Sequence, residues 1–355
     1  MGKMPKYVKI ARAVYECTVR SGMSRYRSKY SKRIFDQWTW VVLLVLRQYE
    51  RKDYRGFVDW LEIATPITEY LRLKRIPHYT SLQKASARLE SIWLRRIIAR
   101  FVKERESEET MVMVIGIDST GYRLEHASKY YQTRLTYKGK ERDIRRKHLK
   151  STISADMDTQ LIVSVKHRRG PASDHKDFPP VVRNTHREVR ASVYVADRGY
   201  DSEANHQLVR DELGAHSIIP PRNQDVPAHR TNGQYRKEMK KKFDKKTYNQ
   251  RAKTETVFSV VKRTMGENIY SRKVSTQNRE IELRYIAYNA RRTVQLDCIL
   301  LFVLRISTKP MVGTAAIALL DMQVVILADS RTISIKSSRG NTVSVNRNQG
   351  AITSR

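Results

Sequence analysis

Two short apolar runs rich in β-branched residues, each closing on an aspartate, constrain this chain more than any other feature. MVMVIGID ends at Asp118 and ASVYVAD ends at Asp197. Such runs read as buried strands, and in an open α/β sheet the strand tips face the ligand crevice. An aspartate at a strand tip can also be a turn former or a helix cap. At Asp197 that reading has competition, because Asp201 and Ser202 are better placed to cap the helix expected over SEANHQLVRDELG. Asp118 ends the strand from Val112 to Ile117 and is followed by Ser-Thr-Gly, where a turn is expected.

Around these runs the pattern alternates. HLKSTISADMDTQLIVSVKHR reads as two strands about a turn at Asp156 to Thr159, the helix SEANHQLVRDELG closes at Gly214, and AHSIIP is a further strand. The expected fold class is therefore α/β, a mixed sheet flanked by helices. From about residue 8 to 106 the spacing is helical, as in IFDQWTWVVLLVLRQYE and YRGFVDWLEIA. Thr80 with Gln83 forms a capping-box signature, and one long amphipathic helix is expected from there through Leu89 and Ile97 to Phe101. Its basic residues, Arg95, Arg96, Arg100, Lys103 and Arg105, suit either a DNA-binding face or a solvated bundle surface.

Charge points to the partner. The 355 residues carry 69 Lys and Arg against 36 Asp and Glu, a net charge of +33. That excess exceeds what solubility requires and fits a polyanion, with nucleic acid favoured because the charge is spread along the chain. Residues 138–150 and 236–246 each hold seven Lys or Arg, and these runs are expected to meet the DNA backbone. Cys17 and Cys298 are the only cysteines, which gives neither a disulfide framework nor a zinc pattern and fits a reducing compartment. No stretch reads as a signal peptide, and the apolar runs 41–46 and 299–304 are far shorter than the roughly 20 residues a bilayer needs.

A third acid, Glu255, lies in KKTYNQRAKTETVFSVVKRTMG, which reads as one helix. Tyr248, Glu255 and Lys262 recur at intervals of seven residues, and at about 3.6 residues per turn they share a face, with Arg251 roughly 60° away. An i,i+4 ion pair of Arg251 with Glu255 on a surface helix is the simpler alternative, but it leaves the alignment with Tyr248 and Lys262 unexplained. Phosphodiester chemistry calls for carboxylates that hold divalent ions, commonly two of them about 3.5–4 Å apart.

GIDSTG around Asp118, ADRGYDS around Asp197 and the Tyr248, Arg251, Glu255, Lys262 series together resemble the DDE transposases of insertion sequences, in particular the insertion sequence four and five group. The resemblance covers roughly residues 110–295. It implies a ribonuclease-H-like catalytic domain at 107–306, preceded by an all-helical, DNA-binding domain at 1–106. It further implies cleavage at terminal inverted repeats and joining of the freed 3′-hydroxyl to target DNA. By motif position Asp118, Asp197 and Glu255 would hold two Mg²⁺ ions, with Mn²⁺ as a substitute, while Tyr248, Arg251 and Lys262 would contact DNA. Double-stranded DNA, self-association on it and a cytoplasmic, nucleoid-associated location follow from the same resemblance. Beyond LLFVLRISTKP the family usually stops, whereas this chain continues; residues 307–355 are expected to be a poorly ordered extension, simplest to explain as read-through of a lost stop codon. Two rivals share these residues: a ribonuclease-H-like nuclease or recombinase that cuts without joining, and an inactive DNA-binding regulator derived from a transposase.

Overall fold

A computed structural model describes residues 4–30, 33–105, 113–125, 148–170, 174–307, 325–328, 332–336, 342–346 and 352–354. Residues 1–295 form one compact unit and 296–355 another.

The first unit opens with six helices: α1 Lys6–Arg20, α2 Gln37–Tyr49, α3 Tyr54–Ile63, α4 Thr65–Tyr70, α5 Tyr79–Arg88 and α6 Ser91–Lys103. Asp36 and Asp53 cap α2 and α3 by accepting from the backbone N–H of Thr39 and Gly56, which satisfies donors that a helix start leaves orphaned. In α2 the residues from Val41 to Leu46 are all fully buried, making it the central helix of this layer. The single helix expected from Thr80 to Phe101 is two. Leu89 takes an extended conformation, with φ −61° and ψ 138°, and its side chain is buried in the core. His78 rather than Thr80 precedes the helix, its Nδ1 accepting from the Thr80 N–H.

The sheet follows, with β1 Val114–Leu124, β2 His148–Asp156 and β3 Ile162–Arg169, then α7 Phe178–Glu188, β4 Val193–Ala196, α8 Glu203–Gln207 and β5 His216–Ile218. The strand order is β3-β2-β1-β4-β5. β1, β2 and β3 pair antiparallel, while β4 and β5 run parallel to β1. This mixed arrangement is ribonuclease-H-like. The β2–β3 hairpin turns on Asp156, whose carboxylate accepts from the N–H groups of Asp158 and Thr159. Gly214, at φ +64°, ends the helical segment after α8, as its position in the sequence suggests.

The chain then forms α9 Gln234–Lys241, α10 Lys245–Asn249, α11 Ala252–Met265, β6 Asn268–Ile269 and the long α12 Val274–Ser307. β6 returns alongside the far end of β1, pairing Arg123 with Asn268. Val257, Phe258 and Val261 face α11 into the core. Arg284 of α12 secures the end of α11, donating to the carbonyls of Gly266 and Asn268 and to Glu280 and Gln48. Helical layer and sheet share one apolar core, in which Leu94, Ile97 and Phe101 join Ile162, Val165 and Tyr285.

In the second unit, where a poorly ordered extension is expected, the described residues form four short strands: β7 Val325–Ala328, β8 Thr332–Lys336, β9 Thr342–Asn346 and β10 Ile352–Ser354. They make an antiparallel meander in chain order.

Candidate active site

The three acids of the sequence reading gather about one guanidinium. β1 and β4 run side by side in parallel, with Ile117 paired to Ala196, so Asp118 and Asp197 follow at the same level on strands about 4.8 Å apart. β4 ends there, as expected. β1 does not: Asp118 pairs with Ile153, and Ser119 to Arg123 continue the ladder with β2 down to His148. GIDSTG is thus strand rather than turn, and β4, the neighbour on the other side, has ended at Ala196.

Glu255 and Arg251 approach from α11. The expected single helix from Lys245 is broken at Gln250 and Arg251, where the backbone makes tighter bonds, Arg251 N–H to the Tyr248 carbonyl and Lys253 N–H to the Gln250 carbonyl. These i,i+3 bonds wind the chain more tightly than an α-helix, so Tyr248 lies on α10 and off the face it would share with Glu255. Its ring packs against Phe243, with centroids 5.1 Å apart, and faces the Arg251 guanidinium at 5.9 Å. Lys262 is also removed from the acids: its ammonium stands 5.4 Å from the ring centre of buried Tyr122, near the end of β1. Burial pushes its pKa down and Arg123 adds to this, while Glu267 opposes.

Arg251 Nη1 lies 3.6 Å from Asp118 Oδ2 and Nη2 donates to Glu255 Oε1 at 3.0 Å. Burial lowers the pKa of this guanidinium, but Tyr248, Asp118, Asp197 and Glu255 outweigh it and the net shift is upward. Asp118 also accepts from Ser119 N–H at 2.8 Å and from the Thr254 hydroxyl at 3.3 Å. Burial raises its pKa, Asp197 adds to the rise, and the backbone bond, Arg251 and Thr254 counter it. The Asp118 side chain is 18% exposed and that of Glu255 62%, so the glutamate is the one placed to change conformation. Among the described residues no three His, Cys, Asp or Glu side chains stand close enough to share a metal ion; Arg251 stands among the acids instead.

Two supporting features escape a reading by motif. Gly116 lets α11 lie close on β1, since a Cβ there would meet Met157 Cε at 2.6 Å and Thr254 Cγ2 at 2.7 Å. Asp201, considered above only as a helix cap, is buried and accepts from Arg236 Nε and Nη2 and from Arg222 N–H. Arg222 in turn donates to the carbonyls of Arg198 and Gly199, which holds the turn that follows Asp197. The cap itself is Ser202, which accepts from Asn205 N–H. The GID and DRGYD motifs hint at these roles, but the arginine partners lie too far along the chain to be found locally. Of the two basic runs, residues 138–147 lie outside the described residues; the second forms α9, the loop after it and the start of α10, with Lys241 exposed.

A family model, the transposase DDE domain, matches residues 113–290, half of the chain, and the protein belongs to that family. No curated protein matches the chain. Among solved structures it is similar to the cryo-EM structure of a piggyBac transposase synaptic complex with hairpin DNA. That match has 11% identity and a TM-score of 0.36, over 86% of this chain and 80% of that one, a likeness too distant to carry an argument about the site.

Gly116→Ala is predicted to force α11 away from β1 and to destabilise the protein by about 1–3 kcal/mol, as overpacking does. A urea titration measures it; an unchanged midpoint would show that the contact with Thr254 does not set the position of α11.

Proposed function

We propose that this transposase cleaves the ends of an insertion sequence and joins the resulting 3′-hydroxyl to target DNA, with Asp118, Asp197 and Glu255 as the ligands of two Mg²⁺ ions, replaceable by Mn²⁺. The observation that carries the proposal is the gathering of three carboxylates around Arg251 beside the end of β4. One guanidinium against three carboxylates leaves negative charge uncompensated, and the donors are hard oxygens of the kind Mg²⁺ takes. The donor chemistry therefore suits divalent ions, and exposed Glu255 would join the two aspartates by a change of side-chain conformation. Such ions would supply activation of the attacking oxygen and stabilisation of the leaving one.

The protein's own groups do the rest. Arg251 offsets part of the acids' charge when DNA is absent, and its planar fork suits a phosphate equally well. Tyr248, Arg251 and Lys262 are assigned to the DNA backbone near the scissile bond, Tyr248 as a packing partner of Arg251 and Lys262 as a cation fixed at the far end of β1. The helical region, residues 1–106, is assigned to double-stranded DNA at the terminal inverted repeats. The net charge of +33 supports that assignment through counterion release. Self-association on DNA belongs to the same proposal.

The test uses the DNA that flanks the gene. Asp118→Asn, Asp197→Asn and Glu255→Gln should each reduce Mg²⁺-dependent cleavage of those ends to background while DNA binding is unchanged or tighter, because a negative charge near phosphate is removed. Near-normal cleavage by any of the three sinks the role of that residue. With pre-cut ends the wild type should give joined products; cutting without joining identifies a nuclease, and tight binding with no cleavage a regulator.

A second prediction separates Lys262 from the basic run. Lys262→Ala should lower the cleavage rate on saturating DNA by on the order of 10²-fold, since it is held by the fold at one place. Lys241→Ala should change only affinity, reducing the log–log salt slope by about one unit. If both substitutions shift affinity alike and leave the saturated rate untouched, Lys262 is only part of a basic surface.

A further inference from the structure

A cleft in the helical region is not used by the chemistry above. It holds about 740 Å³ and is lined by residues of α1, of the segment joining α1 to α2, of the first turn of α2, and of α4 with the turn that follows it. Its lining carries five cations, Arg25, Arg33, Arg72, Lys74 and Arg75, and four aromatic rings, Tyr15, Tyr26, Phe35 and Tyr70. The one acid, Asp36, is already committed: it caps α2 at Thr39 N–H, 2.7 Å, and pairs with Arg25 Nε at 3.2 Å. Arg72, Lys74 and Arg75 are exposed and form no ion pair among the described residues.

The backbone marks the same place. Four non-glycine residues among those described have a positive φ, and two of them, Arg33 at 51° and Arg72 at 50°, line this cleft. L-residues avoid that conformation, and it persists where the surroundings over-determine it, often at ligand sites. The guanidinium groups of Arg25 and Arg33 also stand 5.5 and 5.8 Å from the Tyr26 ring centre.

Cations alone would suit the outside of a duplex. Aromatic rings inside a cleft of this size do not, because paired bases are stacked within the helix and show no open face, whereas unpaired bases stack on aromatic side chains and phosphates follow a basic groove. We propose that this cleft holds an unpaired segment of a DNA strand, its phosphates on Arg33, Arg72, Lys74 and Arg75 and its bases against Tyr26 and Phe35. The inference rests on reading the protein as one that processes DNA, and adds to that reading a site for an unpaired strand whose lining includes none of the three acids.

The experiment uses the full-length protein and labelled octathymidylate in fluorescence anisotropy, alongside the same strand paired with octadeoxyadenylate and with thymidine monophosphate as competitor. The wild type should bind the single strand more tightly than the duplex. Tyr26→Leu combined with Phe35→Leu should weaken the single strand by about tenfold, a typical loss for removing base stacking, and leave the duplex within about twofold. Tyr26→Trp should keep single-strand binding, and unchanged circular dichroism melting of the leucine variant shows that folding is not the cause. Equal losses on both DNAs, or none on either, would overturn the proposal, as would competition by thymidine monophosphate at equal phosphate concentration, which marks a free-nucleotide site. Cleavage by the carboxylate variants is scored separately. Failure there with a selective cleft rejects the catalytic assignment alone, and normal carboxylate results with an unselective cleft reject the cleft alone.

Discussion

Like charges brought together at one end of a sheet repel, and the ion pairs of Arg251 offset that repulsion. Two carboxylates about 5 Å apart cost on the order of 3 kcal/mol at an effective dielectric constant near 20. Arg251 answers with one nitrogen toward Asp118 and another to Glu255, and the field of all three acids raises its own pKa. Its place depends on the short turn between α10 and α11, on Thr254 lying over Gly116, and on Arg284 tying down the far end of α11. Asp197 depends on a different set, with Arg222 and Arg236 joined through buried Asp201. Two independent braces thus bring acids from a strand end and a helix to the edge of the crevice where Asp118 stands.

This geometry gives Arg251 two partners of opposite role. In the absence of DNA it offsets part of the acids' charge; near a phosphate it is a cation beside the crevice. Exposed Glu255 is the movable member of the pair, and half-buried Asp118 the fixed one. The site is therefore arranged so that a cation is always within reach of the carboxylates, first the guanidinium and, in the proposed function, divalent ions.

Much of this was legible locally. The apolar runs before Asp118 and Asp197 are strands, the Asp156 hairpin forms, and Gly214 ends its helix, because each depends on residues close in sequence. What failed depended on distant partners. Asp118 was expected at a strand tip, but β2 continues to pair with β1 beyond it. The seven-residue spacing of Tyr248, Glu255 and Lys262 assumed one helix, and the break at Arg251, which brings that side chain to the acids, takes Tyr248 off the face that Glu255 and Lys262 still share on α11. Leu89 likewise interrupts an amphipathic pattern because its side chain is drawn into the core. The continuity of that core between the N-terminal helices and the sheet, through Phe101 and Tyr285, has no local signature.

The central claim is that Asp118, Asp197 and Glu255, far apart in sequence, form one metal-binding centre. Iron-directed cleavage of the polypeptide reads this without any DNA. Fe²⁺ bound at the centre, given ascorbate and peroxide, generates hydroxyl radicals that cut the backbone close to the ion. The account predicts three groups of fragments, ending near residues 118, 197 and 255, all suppressed by excess Mg²⁺ and all lost together in Asp118→Asn. Cuts elsewhere, or cuts near one acid that persist when another is replaced, would contradict it.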